Sequence, residues 1–226
     1  MRKLALIGYP AAHSGSPALF HELCPGAGSY DIVETPSFEE AWKRFLDEFD
    51  AVNITAPFKE MAFRRASAEA EASGHPELIS PEVRKIGAAN IAVKCTDGIR
   101  LYNSDYLGVR EVLAKQCSGI KTLAVVGFGG AGKAAKAAAE SLGFEVRVYH
   151  HDEIAEGLEA DVVIYTLPCR VAGMNKLGCR VLLEANYRDP SFSMESLEAR
   201  GTTYVPGTEW LRAQAEEGFP LMLEII

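Results

Sequence analysis

Short apolar runs alternate with amphipathic stretches through the first half of the chain. The runs predict buried strands, and the stretches predict helices that cover them. The expected strands lie at residues 3–7, 30–33 and 51–55, and the expected helices at 18–23, where Ser16 is the N-cap and Pro17 the first helical residue, and from Ser37 to about 49. This order predicts a largely parallel sheet. Residues 66–82, rich in Ala, Glu and Ser, predict only a helical or loop insertion.

The second half of the chain repeats this alternation at the spacing of a doubly wound sheet. The expected elements are strands at 123–127, 145–149, 161–165 and 180–183 and helices at 133–142 and about 209–217. We therefore predict an α/β protein with an N-terminal α/β substrate domain and a Rossmann-like dinucleotide-binding domain. The first covers residues 1–105 plus a C-terminal helix at about 208–226, the second covers 106–207, and a cleft is expected between them.

Composition and charge narrow the class of protein. Of the 226 residues, 48% are hydrophobic and 24% charged, which excludes disordered, collagenous and coiled-coil chains. Lys and Arg number 23 against 31 Asp and Glu, and the resulting net charge of −8 argues against a nucleic-acid partner. A small-molecule substrate is expected instead.

The five cysteines are scattered and include no C-x-x-C pair. This usage predicts reduced thiols in a cytoplasmic protein and no metal site. No apolar run approaches the roughly 18 residues that indicate a membrane span, so we expect no membrane partner. The sequence leaves a monomer and a homodimer equally open.

A glycine-rich loop is the strongest local signal. Gly127, Gly129, Gly130 and Gly132 follow an apolar strand and open an Ala-rich helix, the context that dinucleotide binding requires. Backbone N–H groups at such a turn bind a pyrophosphate. The choice between NAD and NADP falls on His150-His151-Asp152 and stays open, because Asp152 suits a ribose hydroxyl and two histidines suit a 2′-phosphate only weakly.

Polar residues in four short segments of the first domain form a second signal. Ser14 and Ser16 follow the first strand, and Thr55 and Lys59 follow the third. Gly87–Asn90 precedes a further strand, and Asn103–Asp105 ends another. Open α/β sheets bind ligands outside the carboxyl ends of their strands, where we expect three of the four segments to converge.

These segments also carry a resemblance. The chain resembles shikimate dehydrogenase along nearly its whole length, through motifs that occur in the family's order. The motifs are H-S-x-S-P at 13–17, N-[VI]-T-x-P-x-K at 53–59, G-A-x-N at 87–90, N-T-D-x-x-G as 103–108 with Ser104 for Thr, the glycine loop, and M-L-x-x-Q as 210–214 with Trp210 for Met. Tyr187 matches the tyrosine of the family's D-x-x-Y.

The resemblance implies a role for each matched residue. Lys59 and Asp105 would be the catalytic acid–base pair. The substrate would be bound by Ser14, Ser16, Thr55, Asn90, Tyr187 and Gln214, with the two serines on its carboxylate. The cofactor would be bound by Gly127, Gly129, Gly130, Ala131, His150, His151, Asp152 and Gly207.

The implied function is NADP-dependent interconversion of 3-dehydroshikimate and shikimate in chorismate and aromatic amino acid biosynthesis. Two alternatives stay open: a quinate/shikimate dehydrogenase that uses NAD, and a non-catalytic sensor of shikimate or quinate. They stay open because the cofactor side departs from the family. His150-His151-Asp152 replaces the family's Asn-Arg-Thr, and Tyr165-Thr166-Leu167 replaces its Asn-Ala-Thr.

Overall fold

Two compact units make up the chain. The computed structural model describes residues 1–224, so the last two residues of the predicted C-terminal helix lie outside the described residues. One unit comprises Met1–Ser104 with Ala215–Ile226, and the other comprises Asp105–Gln214. Each unit is built on a five-stranded sheet with helices, which confirms the predicted α/β class.

The sheet of the first unit mixes parallel and antiparallel strands. Its elements in chain order are β1 Arg2–Gly8, α1 Ser16–Leu23, β2 Gly28–Glu34, α2 Phe38–Glu48, β3 Ala51–Ile54, α3 Lys59–Ser73, a 3-10 turn at Pro76–Leu78, α4 Pro81–Ile86, β4 Ile91–Cys95 and β5 Gly98–Tyr102. The strand order is β2-β1-β3-β4-β5. The pairs of β1 with β2 and β3 are parallel, whereas β4 is antiparallel to both β3 and β5. Two of the four strand pairings are therefore parallel, as predicted, and the two that involve β4 are antiparallel.

This arrangement collects chain ends at one edge of the sheet. Since β5 runs in the direction of β1 and β3, all three strands end at the same edge, and β4 begins there. We call this edge, where β1 ends at Gly8, β3 at Ile54 and β5 at Tyr102 and where β4 begins at Ile91, the carboxyl edge. It positions all four of the polar segments, rather than the three expected.

The sheet of the second unit is parallel throughout. Its elements are α5 Ser104–Gln116, which starts on the last residue of the first unit, β6 Thr122–Val126, α6 Gly130–Ser141, β7 Glu145–Tyr149, β8 Leu158–Glu159, β9 Val162–Tyr165, a 3-10 turn at Met174–Lys176, β10 Leu177–Gly178, β11 Val181–Glu184, α7 Met194–Glu198, β12 Thr203–Val205 and α8 Gly207–Leu223. The strand order is β12-β11-β9-β6-β7, and β8 pairs separately with β10.

Apolar side chains fill both faces of the first sheet. Trp42, Phe45 and Phe58 pack on the face covered by α2 and α3. On the other face, Phe20 of α1 meets Phe219 of α8 at 5.2 Å between ring centroids, nearly perpendicular. The end of α8 therefore belongs to this core.

Several predicted helix bounds were wrong. Gly15, not Ser16, is the N-cap of α1, because the helix already begins at Ser16. The last helix, predicted at about 209–217, runs from Gly207 to Leu223 through Pro220. Residues 66–82 are mostly helical, as the prediction of a helical or loop insertion allowed, and contain the end of α3 and the start of α4. The cap of α2 is confirmed, since the Ser37 hydroxyl accepts the Glu40 N–H. No helix within residues 1–224 has the length and apolar character that crossing a membrane requires.

Candidate functional site

Gly8 and Thr55 lie side by side at the carboxyl edge. The Thr55 N–H donates to the Ile7 carbonyl at 3.0 Å, which continues the pairing of β1 and β3 beyond the end of β3. A Cβ atom on Gly8 would lie 2.2 Å from Cγ2 of Thr55. Only glycine at the end of β1 therefore allows Thr55 to take this position.

The loop after β1 is fixed by a carboxylate from the neighbouring strand. Glu34, the last residue of β2, accepts the N–H groups of Ala11 and Ala12, each at 2.5 Å. These two backbone hydrogen bonds, that from Ala12 first, lower the pKa of Glu34 because they stabilise its charged form. The same loop then turns back, as the Ser14 N–H donates to the Ala11 carbonyl at 2.9 Å. The position of Ser14 thus depends on Glu34.

A chain of side-chain hydrogen bonds starts at the two predicted serines. The Ser14 hydroxyl donates to the Ser16 hydroxyl at 3.0 Å and accepts the Ser16 N–H at 3.2 Å. The Ser16 hydroxyl bonds in turn to the Tyr30 hydroxyl, which donates to Oδ1 of Asn53 at 2.6 Å. Burial raises the pKa of Tyr30, so this hydroxyl stays protonated and remains a donor.

The chain continues across the sheet to the start of α5. Nδ2 of Asn53 donates to the Asn90 carbonyl at 3.3 Å. The buried Asn90 side chain then makes two bonds to Ser104: its Nδ2 donates to the hydroxyl at 3.0 Å, and its Oδ1 accepts the N–H at 2.6 Å. We call Ser14, Ser16, Tyr30, Asn53, Asn90 and Ser104 the polar chain. It joins all four predicted segments.

Lys59 is the first residue of α3 and belongs to the same predicted segment as Asn53 and Thr55. Its carbonyl accepts the N–H of Ala89 at 3.1 Å, so the start of α3 is held against the loop that leads to Asn90. The preceding residue, Phe58, is 1% exposed and anchors the turn in the core. The sequence motif 53–59 therefore folds into a strand end, a tight turn and a helix start at the carboxyl edge.

Asp105 and Gln214 are held within the second unit. Asp105 is buried in the first turn of α5, and its carbonyl accepts the indole N–H of Trp210 at 3.2 Å. A Cβ on Gly108 would lie 2.6 Å from the backbone nitrogen of Gln214. Glycine at 108 therefore lets α8 pack directly on α5, which explains why the motif at 103–108 ends in this residue.

The glycine loop has the geometry of a phosphate-binding turn. Gly127 has φ of +94°, and its N–H donates to the Tyr149 carbonyl at 2.8 Å. A Cβ on Gly132 would lie 2.2 Å from the Gly127 carbonyl oxygen, so α6 can approach β6 only through glycine. Gly129 caps α6 without a side chain, and a Cβ there would meet nothing within 4 Å. A pyrophosphate fits this open helix start.

The strand end that is predicted to select between NAD and NADP is acidic as well as histidine-rich. His150, His151 and Asp152 are exposed after β7. The His150 N–H donates to the Glu153 carboxylate at 2.6 Å, so a negative charge lies at the turn. The predicted histidines are present at the expected strand end, but Glu153 is an additional residue that the sequence did not single out.

A buried carboxylate organises the loop that carries Tyr187. Glu184, at the end of β11 and fully buried, accepts the Ser191 N–H at 2.5 Å and the Tyr204 hydroxyl at 2.6 Å. Burial first, and the Glu184 carboxylate second, raise the pKa of Tyr204. Gly207 lies against this loop, since its Cβ would fall 2.8 Å from the carbonyl carbon of Asn186. Tyr187 and Gly207 are thus brought to one place in the second unit.

Comparisons with known proteins show which family the chain is similar to, and the family model matches within the first unit. Residues 6–92 match the family model described as the shikimate dehydrogenase substrate binding domain. The chain is 33% identical over 156 residues to the shikimate dehydrogenase (NADP(+)) of Thermus thermophilus, covering 66% of this chain and 56% of that protein. The shikimate dehydrogenase (NADP(+)) of Thermotoga maritima is 33% identical over 175 residues, which cover 73% of this chain and 62% of that protein. The chain belongs to the shikimate dehydrogenase family.

A solved structure of a shikimate dehydrogenase has the same fold as this chain. A crystal structure of the Thermus thermophilus shikimate 5-dehydrogenase in complex with NADP(H) and shikimate superposes with a TM-score of 0.78 at 26% identity, covering 98% of this chain and 93% of that chain. In the sequence alignments, however, the chain spans less than two thirds of the length of these two curated relatives.

The sequence missed the residues that support the family's motifs. Tyr30, Glu34 and Glu184 were not singled out, although each bonds a residue or loop of the predicted site. Asn53 is predicted only as the first residue of the motif at 53–59. A polar residue between the apolar Val52 and Ile54 of a strand was the available signal, because a buried amide needs hydrogen-bond partners. Tyr30 and Glu34 gave no comparable signal, since tyrosine and glutamate are ordinary strand and strand-end residues.

Proposed function

We propose that this protein catalyses the NADP-dependent, reversible reduction of 3-dehydroshikimate to shikimate. The observation that carries the proposal is the polar chain at the carboxyl edge, built on residues that lie mostly inside the segment matching the substrate-binding domain. The relatives named shikimate dehydrogenase (NADP(+)) support the activity, and the structure containing NADP(H) and shikimate supports both ligands.

The substrate's carboxylate is assigned to Ser14 and Ser16. Their hydroxyls lie 3.0 Å apart, and on substrate binding each would turn its single O–H from its present acceptor, Ser16 or Tyr30, to the same carboxylate. Thr55, Asn90, Tyr187 and Gln214 are assigned to the remainder of the substrate, in accordance with the family's motifs. The second bond that Asn90 makes to Ser104 fixes the orientation of its amide, so that the amide is preorganised before substrate arrives.

Proton transfer is assigned to Lys59, with Asp105 as its partner. Reduction of a ketone leaves an alkoxide, which needs a proton from a donor within hydrogen-bond reach. The Lys59 ammonium supplies that proton, and in the reverse direction its neutral amine takes the proton from the substrate hydroxyl. The Asp105 carboxylate orients the ammonium and the hydroxyl. The anchoring of Lys59 through the Ala89 bond supports a fixed position for the donor.

The glycine loop and its neighbours would hold NADP, which when bound exchanges a hydride with the substrate carbon. The pyrophosphate is assigned to the loop residues Gly127 and Gly129 and to Gly130 and Ala131, which begin α6. His150, His151 and Asp152 are assigned to the adenosine ribose and its phosphate. Gly207 is assigned to the nicotinamide end. The open space at Gly129 supports this assignment.

One observation favours NAD as the alternative coenzyme. Glu153 places a carboxylate on the N–H of His150, and Asp152 adds a second acidic group next to it. Carboxylates accept hydrogen bonds from ribose hydroxyls and repel a 2′-phosphate. An NAD-dependent enzyme acting on shikimate or quinate is therefore the second candidate.

The test is a parallel assay of coenzyme reduction. Purified protein is mixed with shikimate or quinate and with NADP or NAD, and the absorbance of the reduced nicotinamide is followed. Reduction of NADP with shikimate is the expected result. Faster reduction of NAD, or of either coenzyme with quinate, would establish the second candidate. Absence of any reduction, with shikimate binding intact by calorimetry, would contradict both and indicate a binding protein.

Substitution of the proton donor tests the chemistry. Lys59→Ala should lower kcat by roughly 10²–10⁴-fold with little change in shikimate affinity, since general acid–base catalysis contributes about that factor. Steady-state kinetics and calorimetry separate the two effects. Lys43→Ala is the matched control, because Lys43 is exposed on α2 and pairs with Asp47. Unchanged kcat in Lys59→Ala would remove Lys59 from the mechanism.

We place the reaction in the cytoplasm and leave a monomer or a homodimer as the working form. None of the five cysteines, all within the described residues, forms a disulfide. Burial raises the pKa of Cys117 and of Cys179 to about 11, so both thiols stay protonated at neutral pH and resist oxidation.

A further inference from the structure

A cavity in the second unit lies apart from all the residues assigned above. Its volume is about 430 Å³, within the range of small-ligand sites. It opens to the surface and is lined by the loop after β9, the loop after β11, α7 and Arg200. Its polar lining comprises Arg170, Asn175, Ser191, Ser193, Ser196 and Arg200. Val171, Met174 and Leu197 supply an apolar part.

Ser191 lines this cavity and carries a buried hydroxyl. The residue is 8% exposed, and its Oγ has no hydrogen-bond partner in the described part of the chain. Its backbone is fixed, because its N–H donates to the buried Glu184 carboxylate. A buried hydroxyl without a partner is unfavourable and rare in native proteins. A ligand that bonds to Oγ would remove this cost.

Two arginines on the cavity wall are held in place by backbone carbonyls. One terminal nitrogen of Arg170 donates to the Pro190 carbonyl at 2.7 Å and to the Asp189 carboxylate at 3.3 Å. One nitrogen of Arg200 donates to the Asn175 carbonyl at 2.8 Å. Each guanidinium has five N–H donors, so most remain for a ligand. Asp189 is highly exposed, and its charge offsets that of Arg170 only weakly.

We propose that this cavity binds a phosphate group. Two planar guanidinium groups match the oxygens of a phosphate in bidentate geometry, and the Ser191 hydroxyl supplies a further donor. The bonds that orient both arginines exist already, so little side-chain freedom is lost on binding. The apolar side chains admit the organic part of a phosphate ester. The proposal does not depend on the dehydrogenase activity.

Calorimetric titration with inorganic phosphate tests the site. The full chain is titrated with NADP present at saturation, so that the glycine loop is already filled. We expect Arg170→Gln and Arg200→Gln each to weaken phosphate binding about tenfold, since a charge-assisted bond contributes roughly that factor. Arg110→Gln, an exposed arginine on α5 outside the cavity, should leave binding unchanged. Binding that NADP abolishes, or that survives both cavity substitutions, would overturn the proposal.

Ser191→Ala distinguishes a ligand site from a structural role. The substitution should raise the melting temperature of the phosphate-free protein, because it removes an unpaired buried hydroxyl, and should reduce the further rise that phosphate causes. A lowered melting temperature with an undiminished phosphate effect would contradict the role of Ser191. Titration with phenyl phosphate identifies the source of the ligand: equal affinity indicates free phosphate, and tighter binding indicates a phosphate ester.

Discussion

Six residues of the first unit share hydrogen bonds that run from the Ser14 hydroxyl to the Ser104 hydroxyl, with one link through the backbone carbonyl of Asn90. Each donor in this polar chain restricts the next acceptor, so the orientation of the serines is set by residues that the substrate need not touch. Networks of this kind are stabilising only when all members are satisfied. Loss of one member should therefore affect both stability and substrate binding.

Tyr30→Phe tests this dependence. The change leaves Oδ1 of Asn53 without its 2.6 Å donor and Ser16 without its acceptor. We expect a loss of about 1–3 kcal/mol in the free energy of unfolding, the usual cost of an unsatisfied buried group. KM for shikimate should rise while kcat changes little. The lost bond orients Ser16, which is assigned to the substrate carboxylate, and that carboxylate does not react. Urea denaturation and steady-state kinetics measure the two effects.

Tyr9→Phe is the control for this change, since Tyr9 is 49% exposed. It should leave the free energy of unfolding unchanged. Equal stability of Tyr30→Phe and the wild-type protein would show that the polar chain does not contribute to the fold.

Glu34 should make the loop before Ser14 sensitive to acid. Its folded pKa lies below the ordinary value of 4.5, so its contribution to stability is present above about pH 4.5 and is lost as the pH falls through the lowered folded value. Glu34→Gln should therefore melt at a lower temperature than wild type at pH 7, and the difference should vanish in acid. Thermal unfolding across pH measures it.

The acid dependence has its own control. Glu198→Gln, on the exposed surface of α7, should show no such pH-dependent difference. A difference for Glu34→Gln that persisted below the folded pKa would mean that the carboxylate charge is not what holds Ala11 and Ala12.

At the level of elements, the glycine loop has one position where packing requires glycine and one where it does not. Gly132 allows α6 to contact the carbonyl of Gly127, whereas Gly129 faces open space with φ of −75°, which any residue adopts. The first glycine is required by packing. The second is required only if a ligand approaches the backbone.

Gly132→Ala and Gly129→Ala distinguish a requirement of packing from a requirement of ligand binding. Gly132→Ala should lower the free energy of unfolding by about 1–3 kcal/mol, the range for forced overpacking. Gly129→Ala should leave stability nearly unchanged but weaken NADP binding. Urea denaturation and coenzyme titration of both variants measure this. Full NADP affinity in Gly129→Ala would contradict the assignment of this loop to the pyrophosphate.

The sequence predicted strands well where their apolar runs were isolated. The bounds of β7 were predicted to the residue, and those of β1 within one residue at each end. It did not predict the short β12 or the antiparallel direction of β4, because periodicity carries no information on strand direction and a three-residue strand has too few positions to show a pattern. The site residues Ser14, Thr55 and Lys59 were predicted because polar residues follow buried strands there, and Asn90 because it directly precedes one. Their roles stay predictions.

At the level of the whole molecule, the core of the first unit depends on residues distant in sequence. Phe219 is 3% exposed, and its ring packs against those of Phe20 and Tyr30, with ring centroids 5.2 and 5.9 Å apart. Without it, the face of the sheet carrying Tyr30 would lose its aromatic cover. The polar chain and the end of α8 are therefore coupled through Tyr30.

Phe219→Ala should destabilise the protein strongly. Truncation of a fully buried phenylalanine costs about 3–5 kcal/mol, from lost burial and the cavity that remains. The free energy of unfolding from urea denaturation measures the loss. Leu46→Ala, at a leucine 39% exposed on α2, should cost far less. Similar losses in the two variants would mean that α8 is not part of this core.

The division of the first unit between two stretches of chain also sets an order of events on the ribosome. Ala215, Phe219 and Met222 leave the exit tunnel roughly 110 residues after Ser104. At about 5–20 residues per second this delay lasts about 5–20 s. The second unit is a single continuous stretch and is complete before those residues are synthesised. The half of the protein translated first is therefore the half that finishes folding last, and during synthesis it exposes the apolar surface around Phe20 to chaperones.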